Sequence, residues 1–284
     1  MILVTGATGH TGCRIVRKLV EKGHQVRCLV RTARNEKHLP VDKVEIARGD
    51  LRHPDSVRKS LNGVDVLVNA AHIRFSHSII PLCAEAGIRR SVFLSSTRRY
   101  TMFPCPSQTQ VLEGEDAIRS SGLDYTILRP AMIYGGPRDN NITRLVNQIR
   151  KTSLFPLFGD GSNLIQPIFV EDLVDAVLFC LKNNQTIGKE YTLAGPEPIS
   201  YRQAVEIIAA ETGRKIKFIP ISLGLCLFLT RIYQTAVRKP KITVEQVRRF
   251  GEDKNFDIET AKEELGFRPR SFEEGIRKKI AGKV

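Results

Sequence analysis

No two of the six cysteines, at positions 13, 28, 83, 105, 180 and 226, stand close enough to form a C-x-x-C pair. That argues against a zinc site or a disulfide framework, and for free thiols in a reducing, cytoplasmic compartment. Long apolar runs are missing too. The longest, "ISLGLCLFL" (221–229), falls well short of the ~20 residues that span a bilayer, so no transmembrane segment is expected. With a first strand expected to start at Met1, no secretory leader is expected. Low-complexity tracts and internal repeats are absent. Acidic residues are scarce, 30 against 44 Lys and Arg, for a net charge of +14 and a pI near 9.7. Such a surplus attracts anions. The basic residues are spread along the chain, however, and no helix-turn-helix, zinc-finger or aromatic RNA-binding signature accompanies them. A solvated basic surface is the expectation, without sequence-specific nucleic-acid recognition.

What is present is enough apolar material for a core: 42% of 284 residues, suited to one large domain or a domain with an appendage. The first two-thirds alternates strands and helices. "ILVTG", "HQVRCLVR", "VEIARGD", "VDVLVNAA", "SVFLSS" and "DYTILRP" read as strands; "TGCRIVRKLVEKG", "SVRKSLNG", "SIIPLCAEAG" and "VLEGEDAIRSSG" read as helices. This rhythm predicts an α/β fold with a doubly wound, Rossmann-type parallel sheet. After Pro130 it changes. "GGPRDN" and "FPLFGDGSN" read as loops around a helix "NITRLVNQIRK". "LIQPIFVEDLVDAVLFCLKN" reads as a strand turning into a helix, and "EYTLAG" as a last strand. From Ile199 the chain reads as mostly helical. The predicted division is a nucleotide-binding domain over residues 1–134 and 163–196, with a small, mostly helical substrate cap over 135–162 and 197–284.

"TGATGHTG" carries glycines at 6, 9 and 12 between the first strand and the first helix. Gly6 suits a sharp turn, Gly9 a close approach of backbone to a pyrophosphate, and Gly12 tight packing of helix on strand. Thr8, His10 and Thr11 fill the same loop, and the helix N-terminus offers free amides and a positive dipole. In this strand-turn-helix context the triplet predicts a dinucleotide seat. An acid ending the second strand would hold the ribose of NAD. Arg31 stands there instead, with Arg34 close behind, and two guanidiniums suit a 2′-phosphate. NADP(H) is therefore favoured over NAD(H), against the plainer reading of two surface arginines. Asp50 and Leu51 end the third strand where an adenine edge would lie. Asn69, Ala70 and Ala71 end the fourth, where small residues let a backbone pass close to the cofactor. His72 beside them reads as lining or solvent-facing.

Together "TGATGHTG", "GDLRHPDS", "NAA", "FLSST", "SGLDYTILRP", "YGGPRD" and "QPIFVEDLVDAV" resemble the short-chain dehydrogenase/reductase superfamily in its extended and atypical branches. Within it the nearest likeness is to the NmrA-like and complex I accessory-subunit-like NAD(P)-binding proteins. The resemblance covers essentially the whole chain. It implies a Rossmann domain with a variable C-terminal substrate region, and oxidoreductase or epimerase chemistry. It also implies a Ser or Thr after the fifth strand to orient the substrate, matched by Thr97 or its neighbour Ser96. A Tyr-x-x-x-Lys dyad should open the following helix. Aligned back from Glu115, Ser107 holds the Tyr position and Val111 the Lys position, and "PSQTQVLEGED" contains no lysine. The dyad is missing. Tyr100, flanked by Arg98 and Arg99, is a candidate replacement, since nearby cations lower a phenol's pKa; the duller reading is a surface "RRY". Arg129 and Pro130 match the place where backbone meets the nicotinamide. Tyr134 and Gln166 are expected at the substrate, while Glu171 and Asp172 are expected to cap a packing helix. A non-catalytic NADP(H)-binding redox sensor or assembly subunit is the competing reading.

The stretch "PISLGLCLFLTRIYQTAVRKPK" is apolar, then basic. Ordinary cap core is the leading expectation. A pocket-lining helix is a second reading. A third is peripheral contact with an anionic membrane, with Arg231, Arg238, Lys239 and Lys241 toward the headgroups.

Overall fold

Successive side chains of a strand point to opposite faces, and here both faces are apolar. Leu3, Leu29, Leu67, Phe93 and Ile127 enter one core; Val4, Cys28, Val68, Val92 and Leu128 enter the other. The strands that carry them are β1 (Ile2–Thr5), β2 (Val26–Val30), β4 (Val66–Asn69), β5 (Arg90–Leu94) and β6 (Asp124–Pro130), with β3 (Glu45–Arg48) at the sheet edge. Four short strands follow, β7 (Ile133–Tyr134), β8 (Leu154–Phe158), β9 (Leu164–Ile165) and β10 (Ile168–Phe169), before β11 (Lys189–Leu193) rejoins the sheet. The seven-stranded sheet runs in the order β11-β6-β5-β4-β1-β2-β3, parallel throughout. This is the doubly wound, Rossmann-type sheet that the alternation predicts. The winding reverses between β1 and β4, and a crevice at such a switch point is where ligands of open α/β sheets bind. The computed structural model describes residues 1–237, 240 and 243–282, with Arg34, Asn35 and Phe158 described by backbone alone.

Helices α1 (Gly12–Glu21), α2 (Asp55–Arg58), α3 (Ser76–Glu85), α4 (Pro106–Arg119), α5 (Ile142–Lys151) and α6 (Val170–Lys182) punctuate these strands. The stretch read as one helix, "SVRKSLNG", is a single α-turn continued by a 3₁₀ turn, Lys59–Leu61. α1 buries Cys13, Ile15, Val16 and Leu19, an amphipathic face packed with α6 on one side of the sheet. α3 and α4 cover the other side through Ile79, Leu82, Val111 and Ile118. Burying each such side chain contributes about 1.5–3 kcal/mol.

A third core joins α5 to β12 (Ile199–Ser200), α7 (Tyr201–Glu211) and the last helix. Here the structure departs from the sequence reading in three places. "FPLF" is β8, paired in parallel with β13 (Lys217–Ile221) some sixty residues on. Its Pro156 and the adjacent Gly159 look like loop residues, and only the distant partner makes it a strand. α8 (Leu223–Ala236), expected as core, has no buried residue. After α9 (Val244–Phe250) the chain returns to the main body, so α10 (Glu259–Leu265) packs Ile258, Ala261, Leu265 and Phe267 into the core of α1 and α6 rather than into a cap. α11 (Phe272–Ile280), opened by a Ser271–Glu274 capping box, closes the third core.

Candidate functional site

The glycine loop at the switch point is a close-fitted cradle. Gly6 has φ +63°, and a Cβ there would stand 2.6 Å from the carbonyl of Ala70 and the amide of Ala71. A Cβ on Gly12 would stand 2.2 Å from the Gly6 carbonyl. No side chain can be added at either point without moving backbone. Asn69, Ala70 and Ala71 therefore meet the glycine turn, as their place at the end of β4 suggested. Gly9 is exposed and Thr8 half-exposed, while Thr11 and Gly12 are buried at the start of α1. No side chain caps α1 and its first turn holds no acid, which leaves its positive end open to an anion. His10 is half-buried, hydrogen-bonded at Nδ1 to Arg14 at 3.3 Å, and its Nε2 is buried without a partner among the described residues. Burial, then the charge of Arg14, lowers its pKa to about 4, so the ring is neutral at pH 7.

One residue at this cradle was missed. Arg138, in the "GGPRD" loop, donates to the carbonyls of Thr8 at 2.9 Å and Gly9 at 3.3 Å. It brings a guanidinium to the glycine loop from 130 residues away in sequence. Nothing local in the sequence points to this contact; it is set by the return of the chain after β7.

At the far end of β2, Arg31 is exposed, and its charge helps hold the Asp50 carboxyl down. Arg34's side chain lies outside the described residues. Asp50 is engaged by Arg52, whose backbone amide donates at 3.0 Å and whose Nη2 donates at 2.5 Å. Those bonds lower its pKa to about 2. Leu51 is buried beside it. Asn69 is fully buried, its Oδ1 accepting from Thr5 and its Nδ2 without a partner among the described residues. His72 faces solvent, accepting the Arg74 amide at Nδ1.

Beyond the ends of β5 and β6 lies a cavity of about 500 Å³. Ser96, Thr97 and Tyr100 line it, together with Arg98 and Arg249. Ser96 caps a 3₁₀ turn, Thr97–Tyr100, by accepting the Arg98 amide. The Tyr100 hydroxyl meets that of Thr192 at 3.1 Å, and its ring lies against Arg99 and Phe256. Ser107, at the Tyr position of the expected dyad, accepts from Arg98 Nη1 at 2.7 Å. Val111, at the Lys position, is buried in the core under α4. Gln166 lines the cavity with both ends of its amide engaged, by the Gly195 carbonyl and the Phe256 amide. Tyr134 does not line it. It is fully buried among Phe169 and Phe272, its hydroxyl 3.3 Å from the Phe272 carbonyl, and burial pushes its pKa up. Glu171 and Asp172 do not cap α6 either; Asp172 grips Arg270 at its amide and guanidinium.

Ser95 and Arg99, next in the chain to the cavity-lining Ser96 and Tyr100, belong to a buried charge cluster. Glu115 is wholly buried and accepts from Ser95 at 2.6 Å, from Arg129 at 2.8 and 2.9 Å, and from Arg119 at 3.0 Å. Arg99 also pairs with it, and Arg129 pairs with Glu190. Burial pushes the Glu115 carboxyl up, but the bonds and charges of Arg129, Ser95 and Arg99 outweigh it and hold it below the usual range. The side chain of Arg129 is thus structural, and only its backbone and that of Pro130 remain to meet a ligand. Among the described residues no group of His, Cys, Asp or Glu could hold a metal ion, and no helix is long and apolar enough to cross a membrane.

Residues 6–153 match the model of a family described as NAD(P)H-binding. The chain is 27% identical over 332 aligned residues to the 2-alkyl-3-oxoalkanoate reductase of Stenotrophomonas maltophilia, covering 98% of this chain and 97% of that one. It is 24% identical to the photosystem II assembly factor Ycf39 of Guillardia theta, covering 95% and 90%. In fold it is similar to a UDP-glucuronic acid 4-epimerase from Bacillus cereus, with a TM-score of 0.77 at 18% identity over 99% and 98% of the two chains.

Proposed function

Because the chain belongs to the NAD(P)H-binding family, we propose that it is a reductase of the atypical short-chain dehydrogenase/reductase type that works on a small carbonyl compound bearing an anionic group. The observation that carries the reading is the Gly6–Gly12 cradle, closed against Ala70 and Ala71 so tightly that only backbone fits. Gly6, Thr8, Gly9, His10, Thr11 and Gly12 would hold the pyrophosphate at the open end of α1, with Arg138 beside it. Asp50 and Leu51 would border the adenine, Asn69, Ala70 and Ala71 the cofactor's path, and the backbone of Arg129 and Pro130 the nicotinamide. The exposed Arg31 favours NADP(H) over NAD(H).

When bound, the nicotinamide supplies a hydride. The chain's own part is to hold and protonate the substrate. Thr97 and Ser96 would orient the carbonyl, and Tyr100 would give the proton, because Ser107 is too weak an acid and Val111 too apolar to restore the usual dyad. Arg98 and Arg249 face the same cavity, and burial and the charge of Arg249 lower the pKa of Arg98. Arg98, which donates to Ser107, and Arg249, which pairs with Glu245, would be the partners of a carboxylate or phosphate in the substrate. A 3-oxo acid, the class named for the Stenotrophomonas relative, has that shape. The proposed cap, residues 135–162 and 197–284 apart from the α10 segment that packs with α1 and α6, would border it.

The test is calorimetry with NADPH and NADH, followed by loss of nicotinamide absorbance with a panel of 3-oxo acids. Binding, NADPH the tighter, with turnover that falls at least tenfold in Tyr100→Phe, is expected. Binding without turnover would favour the second reading, a cofactor-holding assembly subunit, for which the burial of Val111 and the likeness to the assembly factor speak.

A further inference from the structure

We infer that α8 is a docking helix for an anionic lipid surface. Its outward side is its apolar side. Leu225, Phe228, Leu229 and Ile232 are 51%, 60%, 55% and 50% exposed. Their i, i+3, i+4, i+7 spacing puts them on one stripe of the helix. Cys226, Leu227 and Gln234 on the other side are half-buried. Gln234 accepts the Val244 amide at 2.9 Å, tying α8 to α9. A helix that merely completed a core would turn this stripe inward. Strand β13, which leads into α8, adds an exposed Ile219, and its partner β8 adds an exposed Leu154.

Charge selects the occupant. Between Glu211 and Glu245 the sequence holds no acid, against Arg214, Lys215, Lys217, Arg231, Arg238, Lys239 and Lys241. Of these, Arg214, Lys215, Lys217 and Arg231 are exposed; Arg238, Lys239 and Lys241 lie outside the described residues and enter only as sequence charge. Seven cations in that window supply half of the chain's net +14. Two copies of the chain meeting through the stripe would bring two such acid-free segments together and repel. A bilayer of anionic lipid accepts the apolar stripe among its acyl chains and neutralises the cations at its headgroups. No helix of the described residues spans a bilayer, so the contact is peripheral. It does not depend on the reductase reading.

The chain has no tryptophan, so Phe228→Trp makes a single fluorescent reporter at the centre of the stripe. The full-length protein is mixed with vesicles of phosphatidylcholine alone or with phosphatidylglycerol. Expected are co-sedimentation with the anionic vesicles only, at least tenfold weaker in high salt, and a blue-shifted indole emission from the Phe228→Trp variant, quenched by lipids brominated in the acyl chain. Phe228→Glu with Leu229→Glu should abolish sedimentation, while the thermal shift caused by NADPH is kept as the check on folding. Failure to bind anionic vesicles would overturn the inference. So would binding with the introduced indole left in water, or a solution dimer that the double Glu variant dissociates, which would assign the stripe to a protein partner.

Discussion

Glu115→Gln is the substitution whose effect the structure fixes most closely. The wild-type carboxylate accepts from Ser95, Arg119, Arg99 and twice from Arg129, with no exposed surface. Glutamine keeps one acceptor oxygen, turns an NH₂ toward guanidiniums and removes the only wholly buried negative charge of the cluster. Arg129, itself buried, is left with Glu190 as its remaining acid partner. Removing one member of a buried ion pair costs about 3–5 kcal/mol, a large part of a typical total of about 5–15 kcal/mol. For a chain of this size that lowers the melting temperature by roughly 5–20 °C. Urea unfolding of both proteins at pH 7 gives the difference directly, and the same series at lower pH gives its sign. A carboxyl held below its usual pKa in the fold contributes stability that is complete above its unfolded value and fades as pH falls through the folded value. The gap between wild type and variant should therefore shrink in acid. A difference below about 1 kcal/mol at pH 7 would refute the reasoning, for it would mean that the cluster behaves like a surface pair. Ser95 and Arg99 flank Ser96, Thr97 and Tyr100, so the folded variant should also show a raised KM with cofactor affinity little changed.

Gly12→Ala places a methyl 2.2 Å from the Gly6 carbonyl; calorimetry should find dinucleotide binding weakened at least tenfold, and unchanged affinity would remove the cradle from the site. Arg31→Ala should weaken NADPH by about tenfold, the worth of one charge-assisted contact, and leave NADH nearly unaffected; equal losses for both would point to some other reader of the 2′-phosphate. His10 is held neutral, its pKa lowered to about 4 by burial and Arg14. The unfolded ring takes a proton near its ordinary value while the folded one does not, so this residue's contribution is intact above about pH 6.5 and is lost as pH falls toward 4. Melting curves of His10→Asn across that window should be flatter than those of the wild type.

Local pattern was enough for the sheet and the glycine turn. β1, β2 and β4–β6 are short apolar runs between turn signals, and Gly6 and Gly12 are needed because of neighbours within a dozen residues or at the end of the adjacent strand. The expectation that Ser107 and Val111 stand where the resembling superfamily has its Tyr-Lys pair came from that resemblance, and the structure adds that Ser107 accepts from Arg98 and that Val111 is buried. What local pattern could not reach depends on chain segments meeting from far apart. Arg138 touches the carbonyls of Thr8 and Gly9 only because the chain doubles back after β7. β8 is a strand only because β13 lies beside it. Tyr134 looked like a site residue and is core, since Phe169 and Phe272 close around it. The leucines and phenylalanine of α8 read as core from hydropathy, which records how apolar a helix face is but not which way the packing of α9 turns it. Identity and spacing thus determined the fold class and the cradle. Tertiary contact decided which polar groups share the cavity and which apolar face is left in water, because both depend on directions in space that no local window of sequence contains.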